Sequence, residues 1–158
     1  MKKITLILGL LILLLPMVLA QTIEEQAGTT PASPLHGLDM AMERFQVFLT
    51  KDTADKIGLE ISNAQERHAE LITMFQEKRD TKLLKKSELQ YQDNLGRAIS
   101  LTAQLTDEQK EMILKIIEER VSDDKDDILK TEIPADIKEK FNDINHAVEQ
   151  GNFVVVTQ

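Results

Sequence analysis

The sequence lacks several residue types on which common functions depend. It contains no cysteine and no tryptophan, and only one tyrosine and five phenylalanines among 158 residues. Without cysteine the chain cannot form a disulfide scaffold, a thiolate zinc site, a thiol nucleophile or a lipidated cysteine anchor. G-x-S-x-G, phosphate-loop and H-E-x-x-H patterns are also absent from the sequence. We therefore expect a protein that is not an enzyme and that carries no cofactor and no dedicated metal site.

Basic charge is scarce as well. The formal net charge is −8, because 27 Asp and Glu residues outnumber 19 Lys and Arg residues. A nucleic-acid partner requires a basic face, so we expect none. The expected partner is another protein or a second copy of the chain. The length and the 42% hydrophobic content are sufficient for one packed domain.

The N-terminus has the layout of a secretory signal peptide over residues 1–20. Two lysines precede an apolar run over residues 4–15, and Pro16 and Ala20 supply the helix break and the small exit residue. The alternative is an uncleaved anchor over residues 4–20, which is near the lower limit for crossing ~30 Å of hydrocarbon. Both readings predict an extracytoplasmic protein. Contact with a membrane is expected only through this segment, and only if the segment is uncleaved.

The rest of the chain divides into three parts. Residues 21–36 are polar and interrupted by glycine and proline, which is typical of a flexible tether. Residues 37–151 have helical periodicity and form the predicted helical domain. Residues 152–158 form a short tail that is β-prone, because its sequence contains F-V-V-V. The tail has no second strand with which to pair.

The predicted domain is all-α and is dominated by a long antiparallel helical hairpin over about 53–79 and 82–105. A shorter helix over about 37–50 precedes it. Both hairpin segments repeat seam positions at alternating spacings of four and three, as in a coiled coil. Matching positions outward from the turn places His68 across from Tyr91, where the two could share a hydrogen bond. The seam residues are Ile57, Ile61, His68, Phe75, Leu84, Tyr91 and Leu95.

Two further helices complete the predicted fold. Thr106 and Gln109 form a capping-box pattern at the start of the first of them. We expect this helix to end in a solvated exit at the acidic run over residues 123–127. The last helix follows Pro134 and stops at Gly151.

Few residues suggest metal binding. His36 and Met40 are spaced i,i+4 and could form a soft-metal pair, but two ligands do not make a site, and core packing is the more common role of such a methionine. His68 lies on the apolar seam and is expected to be a packed histidine. We expect His68→Leu to stabilise the hairpin by removing a polar group from that seam.

Two charged motifs resemble a known family. The stretch from Ser33 to Arg44 is similar to S-P-L-Y-x-L-K-x-x-x-E-R, and the stretch from Ala64 to Glu70 is similar to A-x-x-R-x-x-E. Both occur in an extracytoplasmic helical family of archaea and bacteria, the domain-of-unknown-function family numbered 5667. The resemblance covers roughly residues 31–100, and it implies location and helical character but no activity. The matching residues are Ser33, Pro34, Leu35, Leu38, Glu43, Arg44, Ala64, Arg67 and Glu70. Their spacing predicts an ion pair between the short helix and the hairpin, either Glu43 with Arg67 or Arg44 with Glu70.

A second resemblance supplies an alternative function. Residues 105–110, L-T-D-E-Q-K, are similar to the L-T-x-x-Q motif of small periplasmic chaperones and metal-stress proteins. The leading hypothesis is a non-catalytic, secreted or surface-tethered helical interaction or structural protein. The alternative is an extracytoplasmic chaperone or stress-protection protein, and the second alternative is a metal-binding sensor or buffer.

Overall fold

The computed structural model describes residues 28–150, which form five α-helices and no strand. The periodicity predicts this all-α architecture. The predicted signal peptide or anchor over residues 1–20 and the β-prone tail over residues 152–158 lie outside the described part of the chain. The helices are α1 His36–Leu49, α2 Thr53–Gln76, α3 Thr81–Thr102, α4 Asp107–Lys130 and α5 Ala135–Glu149. Within residues 28–150, no helix has both the length and the apolarity needed to cross a membrane.

Helices α2 and α3 form the predicted hairpin and pack against each other more extensively than any other pair of helices. Asp52 and Asp80 cap their N-termini by accepting hydrogen bonds from backbone N–H groups of the first turn. The chain reverses at Lys78, whose φ of 56° lies in the left-handed region. The Arg79 N–H then donates to the Met74 carbonyl over 2.9 Å and closes the end of α2.

The seam positions of the hairpin lie inside the protein. Phe75 is half-buried and packs against the core, and the other predicted seam residues are buried. Small residues alternate with large ones along the seam, since Ala64 and Ala98 are buried there too. The buried seam residues are Ile57, Ile61, His68, Leu84, Tyr91 and Leu95.

Helices α4 and α5 complete the core with a row of aliphatic side chains and Phe141. The predicted capping box of Thr106 and Gln109 starts α4. The prediction that α4 ends at residues 123–127 is wrong, because the helix continues through the acidic run to Lys130. Val121, Asp124 and Ile128 recur at helical spacing and all face the core, so one aspartate of the run is buried.

Helix α1 begins one residue before the predicted boundary between the tether and the helical domain. His36 belongs to α1 and is buried, although the sequence assigns it to the tether. Before it, the Ser33 N–H donates to the Thr30 carbonyl over 2.8 Å in a turn. Residues 28–35 therefore approach the hairpin as a series of turns that lead into α1.

Candidate functional site

Arg67 lies at the centre of a buried polar cluster between α1 and the hairpin. Its side chain is fully buried, and its Nη2 group donates to Glu43 of α1. The same nitrogen lies 3.1 Å from Glu66 Oε1, and Nη1 lies 3.0 Å from Glu70 Oε1. The predicted ion pair between Glu43 and Arg67 is therefore present. We call Glu43, Glu66, Arg67 and Glu70 the arginine cluster.

The inward side of α1 adds two more polar contacts. His36 Nδ1 lies 2.6 Å from the Thr29 carbonyl and must donate to it, so Nε2 is free to accept from the Gln90 amide of α3 at 3.3 Å. Burial lowers the pKa of His36, which favours this neutral tautomer. Met40 Sδ accepts from Arg67 Nη1 at 3.1 Å. His36 and Met40, which sequence spacing suggests as a soft-metal pair, both accept from the Gln90 amide, so each is already engaged by neighbouring side chains.

Acids outnumber bases in the arginine cluster. Burial raises the pKa of Glu43 to about 7 and that of Glu70 to about 8, although the Arg67 charge acts in the opposite direction. Burial also raises the pKa of Glu66. A single guanidinium cannot offset three carboxylates in a medium of low polarity, so the cluster retains protons close to neutral pH.

Three carboxylates at the edge of the cluster are close enough to hold a cation. Oxygen atoms of Asp39, Glu43 and Glu66 all lie within 4.8 Å of one another, and carboxylate oxygens suit Ca²⁺ or Mg²⁺. However, Arg67 already pairs with two of these three residues. A cation would have to compete with a fully buried guanidinium, so the arrangement favours a structural ion-pair network.

A second buried polar cluster lies on the opposite side of α2, and we call its members, His68, Tyr91, Asp124 and Phe141, the histidine cluster. The Tyr91 hydroxyl donates to Asp124 Oδ2 over 2.9 Å. His68 Nε2 donates to the Asp124 backbone carbonyl at 3.1 Å, and Nδ1 lies 3.4 Å from Asp124 Oδ1. Both imidazole nitrogens of His68 therefore face oxygen atoms of Asp124. Burial raises the pKa of Asp124.

The partner predicted for His68 is therefore wrong. The His68 and Tyr91 rings are neighbours, with centroids 6.5 Å apart, but both side chains bond to Asp124. Phe141 packs on Tyr91 with a centroid distance of 4.9 Å and closes the cluster. The expectation that His68→Leu stabilises the hairpin loses its basis, since the imidazole is hydrogen-bonded.

The family-motif residues separate into two groups. Glu43, Arg67 and Glu70 meet in the arginine cluster, and the small Ala64 is buried in the hairpin seam. Ser33 accepts a hydrogen bond from the Leu35 N–H over 3.2 Å, in the turn that contains Pro34. Arg44 is exposed, and Glu70 pairs with Arg67 instead, so the alternative pair of Arg44 with Glu70 is not formed.

The outward side of α1 is apolar and exposed to solvent, and we call it the α1 outer face. Its six large side chains are between 55% and 78% exposed. The residues that face the hairpin include His36 and Glu43, which are polar. Helix α1 is therefore inverted relative to an ordinary surface helix, whose apolar side faces the core. The α1 outer face consists of Leu35, Leu38, Met42, Phe45, Phe48 and Leu49.

Several members of these clusters were not identified from the sequence. Glu66 and Gln90 carry no motif, and Asp124 was assigned to a solvated acidic run. A signal for Asp124 does exist, because it falls between Val121 and Ile128 at core spacing. For Gln90 the sequence carries no comparable signal, since it joins the site only through the packing of α3 against α1. Glu66 directly precedes Arg67 on α2.

The fold and the two clusters define a class of protein: an all-α domain built on a helical hairpin, with a short helix attached through buried charges. Residues 28–135 match the family model described as "Domain of unknown function (DUF5667)", and the chain belongs to this family. The matched region contains the whole arginine cluster and all of α1. No curated protein and no solved structure matches the chain.

Proposed function

We propose that this protein is a non-catalytic, extracytoplasmic helical interaction protein that binds a protein partner, either another protein or a second copy of itself, through the α1 outer face. The observation that supports this function is the inversion of α1. Six large apolar side chains point away from the domain, while buried ion pairs hold the other side of the helix. Contiguous apolar patches on soluble domains mark sites of interaction, and isolated exposed apolar residues do not.

The absence of catalysis is supported by the state of the buried titratable groups. Glu43, Glu66 and Glu70 are paired with Arg67, and Asp124 is bonded to Tyr91 and His68. A groove of about 540 Å³ between α4 and the end of α5 is lined mainly by charged surface side chains and includes none of these groups. Catalytic acids and bases need access to a substrate, whereas Glu70 and Asp124 are buried and Glu43 and Glu66 are paired with a buried guanidinium.

The extracytoplasmic location rests on the sequence of residues 1–20. A positively charged start, an apolar run and a small exit residue direct a chain to the export machinery. The absence of cysteine is compatible with either side of a membrane and does not bear on the choice.

A chaperone is the alternative function that shares the same surface. A chaperone that holds unfolded clients needs an adaptable apolar surface, whereas the α1 outer face is held on a regular helix at a fixed spacing. This order favours one specific partner over many clients. An aggregation assay with an unfolded client protein separates the two functions. Suppression of aggregation that is lost in Phe45→Glu would favour the chaperone.

The direct test introduces a photoreactive amino acid into the full chain expressed in cells. Position 45 lies on the α1 outer face, and position 89 on α3 is the matched control, because Leu89 is 58% exposed and lies outside that face. We expect protein adducts at position 45 and not at position 89. Equal labelling at both positions, adducts with lipid alone, or no adduct at position 45 would contradict the proposed function.

A further inference from the structure

We infer that the occupant of the α1 outer face is a second copy of the same face, packed as an antiparallel helix pair around a two-fold axis. This inference rests on the proposed function, because it names the partner of that surface. Such a pair requires that the apolar spacing, the flanking residues and the charges of two α1 helices be compatible with each other. The residues of α1 meet each of these three requirements.

The spacing selects a helix as the partner. Leu35, Leu38, Met42, Phe45 and Leu49 follow one another at intervals of three, four, three and four. This repeat of 3.5 residues keeps one stripe of side chains against a neighbouring helix. In an antiparallel pair, Met42 of one copy packs against Phe45 of the other. The same register then places Leu38 against Leu49.

The flanking residues select the antiparallel orientation. In the register above, Ala41 of one copy lies beside Phe48 of the other, so a small side chain faces a large one. A parallel pair would place Ala41 beside Gln46 and would leave Phe48 beside Thr53, beyond the end of α1. Phe48 is the most exposed of these side chains, at 78%, and the antiparallel pair buries it. The helix dipoles also oppose each other in this orientation.

The charge of α1 disfavours a membrane as the occupant. The helix contains two acids, Asp39 and Glu43, and one base, Arg44. Interfacial membrane helices carry lysine and arginine along the polar side, which bind anionic lipid. In the antiparallel register the other flank places Asp39 near Gln46, so no two like charges meet across the pair.

The size of the surface fits a weak dimer. Six large side chains that are each more than half exposed offer on the order of 600 Å² per copy, at the lower end of specific interfaces. Because α1 is already folded and attached to the hairpin, association costs little ordering of the chain. We therefore expect an equilibrium between monomer and dimer that depends on protein concentration.

The first test is sedimentation equilibrium of the exported protein over a range of concentrations. Phe45→Glu should shift the equilibrium to the monomer by at least tenfold in the dissociation constant. Leu89→Glu, which places the same charge at an exposed leucine of α3, should leave it unchanged. Circular dichroism confirms that both variants are folded. Because Phe45 is exposed, its replacement should not unfold the domain.

The second test fixes the orientation and uses the absence of native cysteine. A mixture of Ala41→Cys and Phe48→Cys proteins should form a disulfide-linked heterodimer on oxidation. A mixture of Ala41→Cys and Gln46→Cys proteins should form far less, since that pair reports the parallel arrangement.

Three outcomes would overturn the inference: a monomer at every concentration, a dimer that persists in Phe45→Glu, or preferential linkage of positions 41 and 46. A monomer that floats with phosphatidylglycerol vesicles through the α1 outer face would identify a membrane as the occupant and also overturn it. If the protein is monomeric but position 45 still labels a different protein in cells, the proposed function stands and only the self-association fails.

Discussion

Arg67 and His68 are consecutive residues of α2, but their side chains belong to two different buried clusters. Arg67 faces α1 and meets three carboxylates, so acid is in excess there. His68 faces α4 and α5 and shares one carboxylate with the Tyr91 hydroxyl, under the ring of Phe141. The first cluster attaches a helix whose apolar side is exposed, and the second lies within an apolar core. Helix α1 therefore depends on charge for its position, whereas α4 and α5 depend mainly on apolar packing.

The largest expected effect comes from removing the only cation of the arginine cluster. Arg67→Met keeps most of the side-chain volume but leaves the buried Glu70 and the half-buried Glu43 and Glu66 without their cation. We expect the free energy of unfolding to fall by about 3–5 kcal/mol in urea denaturation, with loss of hydrogen-exchange protection in α1. Arg44→Met, at an exposed position one residue after Glu43, is the control and should change stability by about 0.5 kcal/mol or less. Equal effects of the two variants would show that the cluster does not hold α1.

The corresponding change in the histidine cluster should have a somewhat smaller effect. Asp124→Ala removes the carboxylate beside His68 and leaves the buried Tyr91 hydroxyl without its acceptor. We expect a loss of about 2–3 kcal/mol in the free energy of unfolding. The neighbouring Asp123→Ala is the control, because Asp123 is exposed. If the two alanine variants have the same free energy of unfolding, the Asp124 side chain is not needed for the stability of the core.

His68→Leu tests the same cluster from the side of the imidazole. The seam pattern alone predicts stabilisation, but the structure shows a hydrogen bond from His68 to the Asp124 carbonyl. We expect a loss of about 1 kcal/mol, measured as a lower melting temperature. The loss is smaller than for Asp124→Ala, because Tyr91 retains its acceptor. A melting temperature above that of the unmodified protein would show that apolar packing outweighs the hydrogen bond.

The smallest expected effect is a pH dependence near neutral pH that the arginine cluster should produce. The folded-state pKa of Glu70 is about 8, above the ordinary value of 4.5. The folded protein thus binds the proton more tightly than the unfolded chain, and stability decreases as the pH rises towards the folded-state pKa. Between pH 6.5 and pH 8 the melting temperature should fall by a few degrees. His36, whose pKa is lowered from 6.5, acts in the opposite sense, mainly below this window.

Glu70→Gln should flatten this decrease, because the amide is neutral at every pH. Glu77→Gln, at an exposed position just after the end of α2, should leave the decrease unchanged. A slope that is the same in Glu70→Gln and in the unmodified protein would mean that other groups account for the pH dependence.

Much of the fold follows from local signals. The four-three spacing along α2 and α3 predicts both helices and their hairpin, because a long apolar stripe must be buried against a neighbour. The capping box of Thr106 and Gln109 predicts the start of α4. The predicted end of α4 is wrong. Residues 123–127 are polar in composition, but one of them, Asp124, continues the spacing of the buried positions. Composition and periodicity conflicted there, and burial of one position decided the outcome.

The candidate site was predicted in part. The motif spacing indicated a contact between Glu43 and Arg67, because both residues lie beside apolar faces on helices that must meet. It did not indicate that α1 turns its polar side inward. An apolar stripe at helical spacing normally predicts a buried face, and on α1 that stripe is the exposed one.

The sequence by itself determined the helical periods, the caps and the charges that must find partners, because these depend on neighbours within a few residues along the chain. Only the tertiary structure decided which side of α1 faces the hairpin and which acids surround Arg67. The physical reason is that a buried guanidinium requires carboxylates close to it, and Glu43 joins Glu66 and Glu70 around Arg67 only when α1 packs on α2. Once the polar side of α1 satisfies that requirement, its apolar side must face outward.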